Sequence, residues 1–194
     1  MTLRQASLFD DPPPGPPGFV YRADLIDPDQ EAALAGHLAR LDLRAFEMQG
    51  RTALRRVAYF GTRYDSAAGG LGEGPPIPDF LLMLREKAAP LAGRTPDAFV
   101  HALVNQYPAG APIGWHRDKP AFGEVVGVSL LSPSVLRFRR ADGDGWVRRS
   151  LTLEPRSGYC LSGEARTLWE HSIPPVEALR YSATFRTLAT AGGR

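Results

Sequence analysis

The chain has 194 residues, of which 43% are hydrophobic and 23% charged, and its formal net charge is +2. These values are typical of one globular domain and exclude a largely disordered chain. No apolar run is long enough to span a bilayer, and the first residues lack the apolar core of a secretory signal. Cys160 is the single cysteine, so no intrachain disulfide forms, and we expect a cytoplasmic protein.

The basic residues are 21 arginines and only 2 lysines. Arginine binds phosphate through two parallel hydrogen bonds and stacks on bases, so this bias is compatible with nucleic-acid binding. A GC-rich genome produces the same bias, and a nearly neutral net charge does not by itself indicate a nucleic-acid surface. Composition leaves both explanations open.

The N-terminal half is predicted to contain two helices. Residues 1–18 end in a run of Pro and Gly and are predicted to form a disordered arm. Asp27 and Pro28 are typical of a helix N-cap and first helical residue, and they predict a helix that ends near Leu41. A strand is expected over 53–60, a Gly- and Pro-rich loop over 65–78, and an amphipathic helix over 79–92.

The remainder of the chain has the pattern of short strands separated by turns. The Asp-Gly repeat at 142–145 indicates a hairpin, and no helix is predicted in this region. This pattern predicts an α+β fold, a sandwich or jelly roll with two supporting N-terminal helices. We expect a single domain over 19–190, with a helical part at 19–97 and a β-rich core at 98–190. The predicted strands are 98–107, 125–131, 134–140, 146–153, 157–162 and 180–188.

The segment His116-Arg117-Asp118 is the first candidate for chemistry. Residues i and i+2 of an extended segment point to the same side, so His116 and Asp118 can bind one ion. Alone, such a pair is also common in exposed turns. His171 lies far enough along the chain to be supplied by another strand, and it would complete the set of two His and one carboxylate typical of non-haem Fe(II) oxygenases. His37 and His101 lack an acidic neighbour at ligand spacing and are predicted to be structural or surface residues.

Residues 180–186 form a predicted strand with a polar face and an apolar face. The polar face is either the solvent side of an edge strand or, if Tyr181 and Phe185 face the helices, part of the interior. Interior arginines require an anion. Arg180 and Arg186 would then hold the two ends of a small dicarboxylate such as 2-oxoglutarate, whose keto-acid end chelates iron.

Two polar residues upstream fit the same ligand. Asn105 and Tyr107 lie on one face of a predicted strand, and an amide and a phenol are suitable partners for carboxylate and keto oxygens. The alternative is a strand-end Asn and a packed Tyr.

At this point the sequence resembles the AlkB family of Fe(II)- and 2-oxoglutarate-dependent dioxygenases. The resemblance covers roughly residues 98–188. Its five segments are Asn105-Gln106-Tyr107-Pro108-Ala109-Gly110, Trp115-His116-Arg117-Asp118-Lys119, Val126-Gly127-Val128-Ser129-Leu130, Ser162-Gly163-Glu164-Ala165-Arg166 before His171, and the strand from Arg180 to Arg186.

The resemblance implies a double-stranded β-helix that binds Fe(II) and 2-oxoglutarate and uses O2. It implies that family members oxidise 2-oxoglutarate to succinate while they hydroxylate an N-methyl carbon, which then leaves as formaldehyde. The implied iron ligands are His116, Asp118 and His171. The implied cosubstrate contacts are Asn105, Tyr107, Arg180, Ser182 and Arg186.

Three departures from the family pattern are visible. Ser182 stands where the family usually has Asn, which weakens one cosubstrate hydrogen bond or makes it water-mediated. The spacing from His171 to Arg180 is shorter than in the founding bacterial member. Pro120 follows Lys119 where that member has an acidic residue that reads the damaged base, and proline cannot hydrogen-bond a base.

The substrate is expected to be a nucleotide held out of its stack between aromatic side chains. Residues 55–64 resemble the family's nucleotide-binding lid. Tyr59 and Tyr64 are the stacking candidates, although Tyr59 can equally well pack in a core strand. The phosphate candidates are Arg55, Arg56, Arg63 and Arg166, and a second basic patch, Arg137, Arg139, Arg140, Arg148 and Arg149, is either a nucleic-acid surface or a solvated hairpin face.

Three functions remain in competition. The first is a dioxygenase that dealkylates N-alkylated bases in DNA or RNA, in alkylation repair or RNA demethylation. The second is a hydroxylase or demethylase with the same chemistry that acts on a protein side chain or a small metabolite. The third is a binding module without turnover, which the complete ligand set disfavours. The sequence indicates no membrane partner and no obligate oligomer.

Overall fold

The structure is a computed structural model that describes residues 15–48, 51–65 and 70–190. Most of the predicted arm, residues 1–14, lies outside the described residues. Residues 15–18 pack on the fold, contrary to the prediction. The amide of Ala165 donates to the carbonyl of Pro17 (2.8 Å), and that of Ser162 donates to the carbonyl of Gly18 (3.0 Å).

The two predicted helices are present. Helix α1 (Pro28–Leu38) begins with a capping box, in which Asp27 accepts from the Gln30 amide (2.8 Å) and Gln30 accepts from the Asp27 amide (3.2 Å). It ends at Leu38, before the predicted end at Leu41. Helix α2 (Asp79–Ala88) gives way to a 3₁₀ turn, Ala89–Ala92, because Pro90 has no amide hydrogen to continue the helix. A second 3₁₀ turn is Pro96–Ala98.

The described residues contain twelve strands and one further helix, α3 (Gly163–Thr167). The strands are β1 (Phe19–Arg22), β2 (Arg44–Met48), β3 (Arg51–Asp65), β4 (Gly70–Glu73), β5 (His101–Tyr107), β6 (Ile113–His116), β7 (Phe122–Leu130), β8 (Ser134–Asp142), β9 (Gly145–Leu153), β10 (Gly158–Leu161), β11 (Glu170–Ile173) and β12 (Arg180–Leu188).

The strands form two antiparallel sheets. The large sheet has the order β1-β10-β7-β12-β5-β3-β2, with β4 paired to β3, and the small sheet has the order β6-β11-β8-β9. The predicted hairpin joins β8 to β9, with Asp142 opposite Gly145 and a positive φ of 55° at Gly143. Because β3 pairs with β5 and β1 with β10, both parts of the predicted single domain share one sheet.

Several elements were not predicted. Strands β1, β2, β6 and β11 had no prediction, β4 lies in the predicted loop 65–78, and α3 lies where no helix was expected. Most of these elements have four or five residues, too few to establish a period of two or of 3.6 residues. Gly70 and Gly72 weaken the strand pattern of β4 further.

Two cores place β12 between the helices and the second sheet. Leu34 of α1 and Leu81 of α2 share one core with Tyr181 and Phe185 of β12. The polar face of β12 therefore turns toward the space between the two sheets, where Tyr107, Phe138 and other apolar residues form the second core. Because Tyr181 and Phe185 face the helices, Arg180 and Arg186 lie in the interior, as one of the two predicted alternatives required. Within the described residues, no helix has the length and apolarity that a membrane span needs.

Candidate metal centre and adjoining cavity

His116, Asp118 and His171 converge in the structure. His116 ends β6 and His171 lies on β11, and the two strands pair so that these residues face each other directly. Their ring centroids are 4.3 Å apart. Asp118 follows two residues after His116, and one ligand atom from each of the three residues lies within 4.8 Å of the others. Two imidazole nitrogens and a carboxylate oxygen are the donor set that suits Fe(II) with open positions for further ligands.

The protonation states at this cluster suit metal binding. The Nδ1 of His116 donates to the carbonyl of Gly114 (2.9 Å), which leaves Nε2 as the metal-binding nitrogen. Burial, together with the neighbouring His116, lowers the pKa of His171 to about 3, so its ring is neutral at pH 7. Burial alone would raise the pKa of Asp118, but Arg186 and the two imidazoles outweigh it and hold that pKa below its usual range.

Two arginines hold the loop that carries Asp118. Arg186 donates from Nη2 to Asp118 Oδ1 (3.0 Å) and from Nη1 to Thr184 Oγ1 (3.0 Å). Arg166 is buried and donates to four backbone carbonyls within residues 118–123, at 2.7 to 3.4 Å. Its donors are therefore occupied by the loop. These hydrogen bonds favour a role for Arg166 in positioning the loop over the predicted phosphate contact.

A cavity of about 670 Å³ adjoins the three residues. The side chains of His116, Asp118 and His171 form part of its wall, and apolar side chains such as Leu136 and Ile173 form another part. This volume is within the range of small-molecule sites. A second, more open pocket of about 410 Å³ lies at Gly61, Glu73 and Arg85.

Arg180 supplies an unpaired cation next to Tyr107, which is a residue of the cavity wall. Its side chain is fully buried, its Nε donates to Ser129 Oγ (3.1 Å), and its Cζ lies 5.0 Å from the centre of the Tyr107 ring. Both terminal nitrogens have no hydrogen-bond partner among the described residues. A buried guanidinium without an anion is unfavourable, so the site fits a ligand carboxylate that accepts two parallel hydrogen bonds.

The other residues predicted to contact the cosubstrate surround Arg180. Tyr107 is opposite Arg180 and Asn105 is opposite Ser182 in the β5–β12 register. Asn105, Tyr107 and Ser182 all line the cavity. Because Asn105 Oδ1 accepts a hydrogen bond from Arg55 Nη1 (2.8 Å), its amide NH2 group is left to donate elsewhere. These placements fit a dicarboxylate between the metal and Arg180.

The predicted lid residues line the outer part of the cavity. Tyr59, Arg63 and Tyr64 come from β3, which continues past the large sheet to pair with β4. The Nζ of Lys119 lies 5.3 Å from the centre of the Tyr64 ring and connects this lid to the metal-binding loop. Arg56 points away from the cavity and donates to the carbonyl of Leu43 (2.6 Å), so the phosphate contact predicted for it is not supported.

His101 is a cavity residue that sequence reasoning missed. It is buried, its Nδ1 donates to the carbonyl of Thr62 (2.6 Å), and burial together with Arg186 lowers its pKa to about 4. The signal was available: His101 lies two strand periods before Asn105, on the same face of β5. The cavity walls that had no prediction at all include Phe46, Glu47, Phe122 and Tyr159.

Two of the five arginines in the basic patch of the β8–β9 hairpin are paired with carboxylates. Arg139 pairs with Glu170 (2.6 Å) and stacks between Trp115 and Trp146, with its Cζ 4.6 and 4.2 Å from the ring centres. Arg140 pairs with Glu164 (3.2 Å). These contacts favour the solvated hairpin face over a continuous nucleic-acid surface.

Comparison with known proteins identifies the family. The model of the 2OG-Fe(II) oxygenase superfamily matches residues 43–189, well over half of the chain. An Arabidopsis thaliana protein named "Alkylated DNA repair protein ALKBH8 homolog" is 28% identical over 182 residues, which cover 81% of this chain and 51% of that protein. A Xenopus tropicalis protein named "tRNA (carboxymethyluridine(34)-5-O)-methyltransferase alkbh8" is 29% identical over 170 residues, which cover 82% of this chain and 26% of that protein.

The chain thus spans about half the length of the first relative and about a quarter of the second. A solved structure, "The structure of OsALKBH1", superposes with a TM-score of 0.65 at 18% identity and covers 89% of this chain and 97% of that chain. This likeness confirms the predicted double-stranded β-helix. The family match shows that this chain belongs to the 2OG-Fe(II) oxygenase superfamily, whose members use Fe(II), 2-oxoglutarate and O2, and the relatives agree with the predicted resemblance to the AlkB family.

Proposed function

We propose that the chain is an Fe(II)- and 2-oxoglutarate-dependent dioxygenase whose iron is bound by His116, Asp118 and His171. The observation that carries this proposal is the convergence of these three side chains on a cavity whose wall residue Tyr107 packs against the unpaired, buried guanidinium of Arg180. When bound, iron and 2-oxoglutarate supply the oxidising power, drawn from O2, that hydroxylates a C–H bond of the substrate.

The residues of the chain bind and orient these groups. The lowered pKa of His171 keeps its ring neutral, Arg186 keeps Asp118 ionised, and the hydrogen bond from His116 Nδ1 to the carbonyl of Gly114 directs Nε2 of that ring toward the metal. Arg180 donates hydrogen bonds to the distal carboxylate of 2-oxoglutarate, and the hydroxyl of Tyr107 and the amide of Asn105 donate to its other oxygens. The short hydroxyl of Ser182 leaves room where the family has an amide. Apolar wall residues exclude water from the reacting carbon.

The proposed substrate is a modified base of DNA or RNA, oxidised at an alkyl carbon. Where that carbon is attached to nitrogen, the hydroxylated product loses it as an aldehyde, which is oxidative dealkylation. Tyr59 and Tyr64 offer rings for a base that leaves its stack, and Arg63 and Lys119 offer charge for its phosphates. The names of the two curated relatives, which refer to alkylated DNA and to a tRNA uridine, agree with such a substrate.

Succinate formation tests the proposal directly. The protein is supplied with Fe(II), ascorbate, 2-oxoglutarate and oligonucleotides of DNA and RNA that contain 1-methyladenine, 3-methylcytosine, 3-methyluridine or 5-carboxymethyluridine. We expect at least one modified strand to stimulate succinate formation over its unmodified counterpart. His171→Ala should abolish the activity, whereas His37→Ala, which removes a ring stacked on Phe80 in the helical layer, should retain it.

The outcomes separate the candidate functions. Stimulation by peptides or small metabolites but by no oligonucleotide would replace this proposal with the hydroxylase alternative. No succinate under any condition, with iron bound, would contradict the assignment as a dioxygenase.

A further inference from the structure

Arg55 is a third buried arginine in the cavity, and neither the metal nor the cosubstrate accounts for it. It lies on β3, its side chain is buried, and it lines the cavity together with Asn105 and Tyr107. Its neighbour Arg56 lies on the opposite face of the same strand and is exposed. Of these two consecutive arginines, one therefore lines the cavity and the other lies on the protein surface.

The guanidinium of Arg55 is held in a fixed orientation. Its Nη1 donates to Asn105 Oδ1 (2.8 Å), and its Cζ lies 3.6 Å from the centre of the Phe46 ring, so it packs against that ring. Asn105 is the only hydrogen-bond partner of this side chain among the described residues, and no described carboxylate forms an ion pair with it. Most of its N–H donors therefore remain available to a ligand in the cavity.

The proposed cofactors do not neutralise Arg55. The charges of Fe(II) and dianionic 2-oxoglutarate cancel. In the proposed site, Arg180 binds one carboxylate of 2-oxoglutarate, and the metal and Arg186 bind the other. Among the described residues, the three buried guanidinium groups of Arg55, Arg180 and Arg186 then face one largely buried carboxylate, Asp118. The loaded site keeps an excess of positive charge that a bound substrate must meet.

The outer part of the cavity is also positively charged. Arg63, Arg117 and Lys119 line it, and Glu47 is the only carboxylate besides Asp118 among its described lining residues. Pro120 lines the cavity as well and offers no acceptor to a base. A positively charged base would meet three cationic side chains and one carboxylate, Glu47, in the outer cavity, whereas an acidic group would be stabilised.

On the basis of the proposed function, we propose that Arg55 binds an oxyanion of the substrate, so that this enzyme acts on nucleotides whose modified base is neutral or acidic and disfavours cationic methylated bases. The oxyanion belongs either to the base itself or to the phosphate of the nucleotide in the cavity. Arg55 would bind the oxyanion in the same way in both cases, and substrates that differ in the charge of the base distinguish the two sources.

The test compares three oligonucleotides of otherwise identical sequence whose single modified base differs in charge at pH 7: 1-methyladenine (cationic), 3-methyluridine (neutral) and 5-carboxymethyluridine (anionic). Wild-type protein, Arg55→Gln, Arg55→Lys and the matched control Arg56→Gln are compared by kcat/KM. Equilibrium binding is measured separately with Fe(II) and 2-oxoglutarate in the absence of O2. Melting temperatures of all variants verify folding.

We expect wild type to prefer the anionic or neutral strand over the cationic one. Arg55→Gln should lower affinity and kcat/KM by on the order of 10- to 100-fold, the range for a hydrogen bond to a charged group, with partial recovery in Arg55→Lys. A loss confined to 5-carboxymethyluridine assigns the oxyanion to the base, and an equal loss on all three strands assigns it to the phosphate. Arg56→Gln should behave as wild type.

Three results would overturn the inference while leaving the proposed function intact. The first is a wild-type preference for 1-methyladenine, and the second is unchanged binding of every strand by Arg55→Gln. The third is a defect of Arg55→Gln that is confined to the apparent KM for 2-oxoglutarate, which would make Arg55 part of the cosubstrate site. If no strand stimulates wild-type turnover, the proposed function itself fails, and the inference fails with it.

Discussion

Replacing Arg180 with Met should weaken the use of 2-oxoglutarate and at the same time stabilise the protein without ligands. The side chain is fully buried with both terminal nitrogens unpaired, so the folded protein without cosubstrate contains an uncompensated cation. A hydrogen bond to a charged group contributes about 1.5–3 kcal/mol. Two such bonds to one carboxylate together correspond to about 3–6 kcal/mol, or roughly 10²- to 10⁴-fold in the apparent KM for 2-oxoglutarate.

The stability effect has the opposite sign. Methionine keeps most of the aliphatic stem and removes the buried charge, and replacing buried ions with apolar groups stabilises proteins by about 1–4 kcal/mol in favourable cases. At the lower end of that range, about 1 kcal/mol, the melting temperature without 2-oxoglutarate should rise by roughly 2–4 °C for a domain of this size. Adding 2-oxoglutarate with metal should then raise the melting temperature of wild type but not that of the variant.

Two assays check this prediction: decarboxylation kinetics over a range of 2-oxoglutarate concentrations, and thermal melting with and without the cosubstrate. Arg149→Met, an exposed arginine on β9, is the matched control and should change neither quantity. A variant with wild-type KM, or one that melts well below wild type without ligand, would refute the reasoning about the unpaired guanidinium.

The remaining predictions concern the metal, its loop and the lid. His171→Ala should lose tight Fe(II) binding in calorimetry while His37→Ala keeps it, and wild-type affinity in the first variant would contradict the ligand assignment. Arg166→Gln, which loosens the loop that carries Asp118 rather than removing a ligand, should weaken Fe(II) binding by about 10- to 100-fold; a defect in oligonucleotide binding alone would restore the phosphate role. Tyr64→Ala should weaken oligonucleotide binding in fluorescence anisotropy by about 1–3 kcal/mol if the ring stacks on a base, whereas Leu54→Ala, at an exposed position of the same strand, should not.

Local chemistry and strict alternation made the central part of the site predictable. The His116 and Asp118 pair needs only the geometry of an extended segment, and β12 alternates so regularly that the position of Tyr181 in the helical core fixes that of Arg180 on the inner face. Helix α1 was predictable because its N-cap, Asp27, and its proline at the first turn are local signals.

The parts that escaped prediction depend on contacts between distant segments. Strands β6 and β11 have four residues each and gain their stability from pairing with one another, with an irregularity between His171 and Ile173. The role of Arg166 depends on a loop more than forty residues before it in the chain. No local sequence pattern distinguishes an arginine that donates to backbone carbonyls from one that binds a phosphate.

The packing of Arg55 shows the same limit. Alternation along β3 predicts that Arg55 and Arg56 face opposite sides, but it does not say which side is the cavity. That choice is made by the pairing of β3 with β5, which brings Arg55 to Asn105.

Anaerobic calorimetry with Fe(II) followed by 2-oxoglutarate tests the central claim most directly. The account predicts one tightly bound Fe(II) per chain, then one 2-oxoglutarate that binds only after the metal, with the second event but not the first lost in Arg180→Met. Absence of tight Fe(II) binding, or binding of 2-oxoglutarate that is equally strong without metal, would contradict a site in which three converging side chains and one buried guanidinium hold the metal and cosubstrate together.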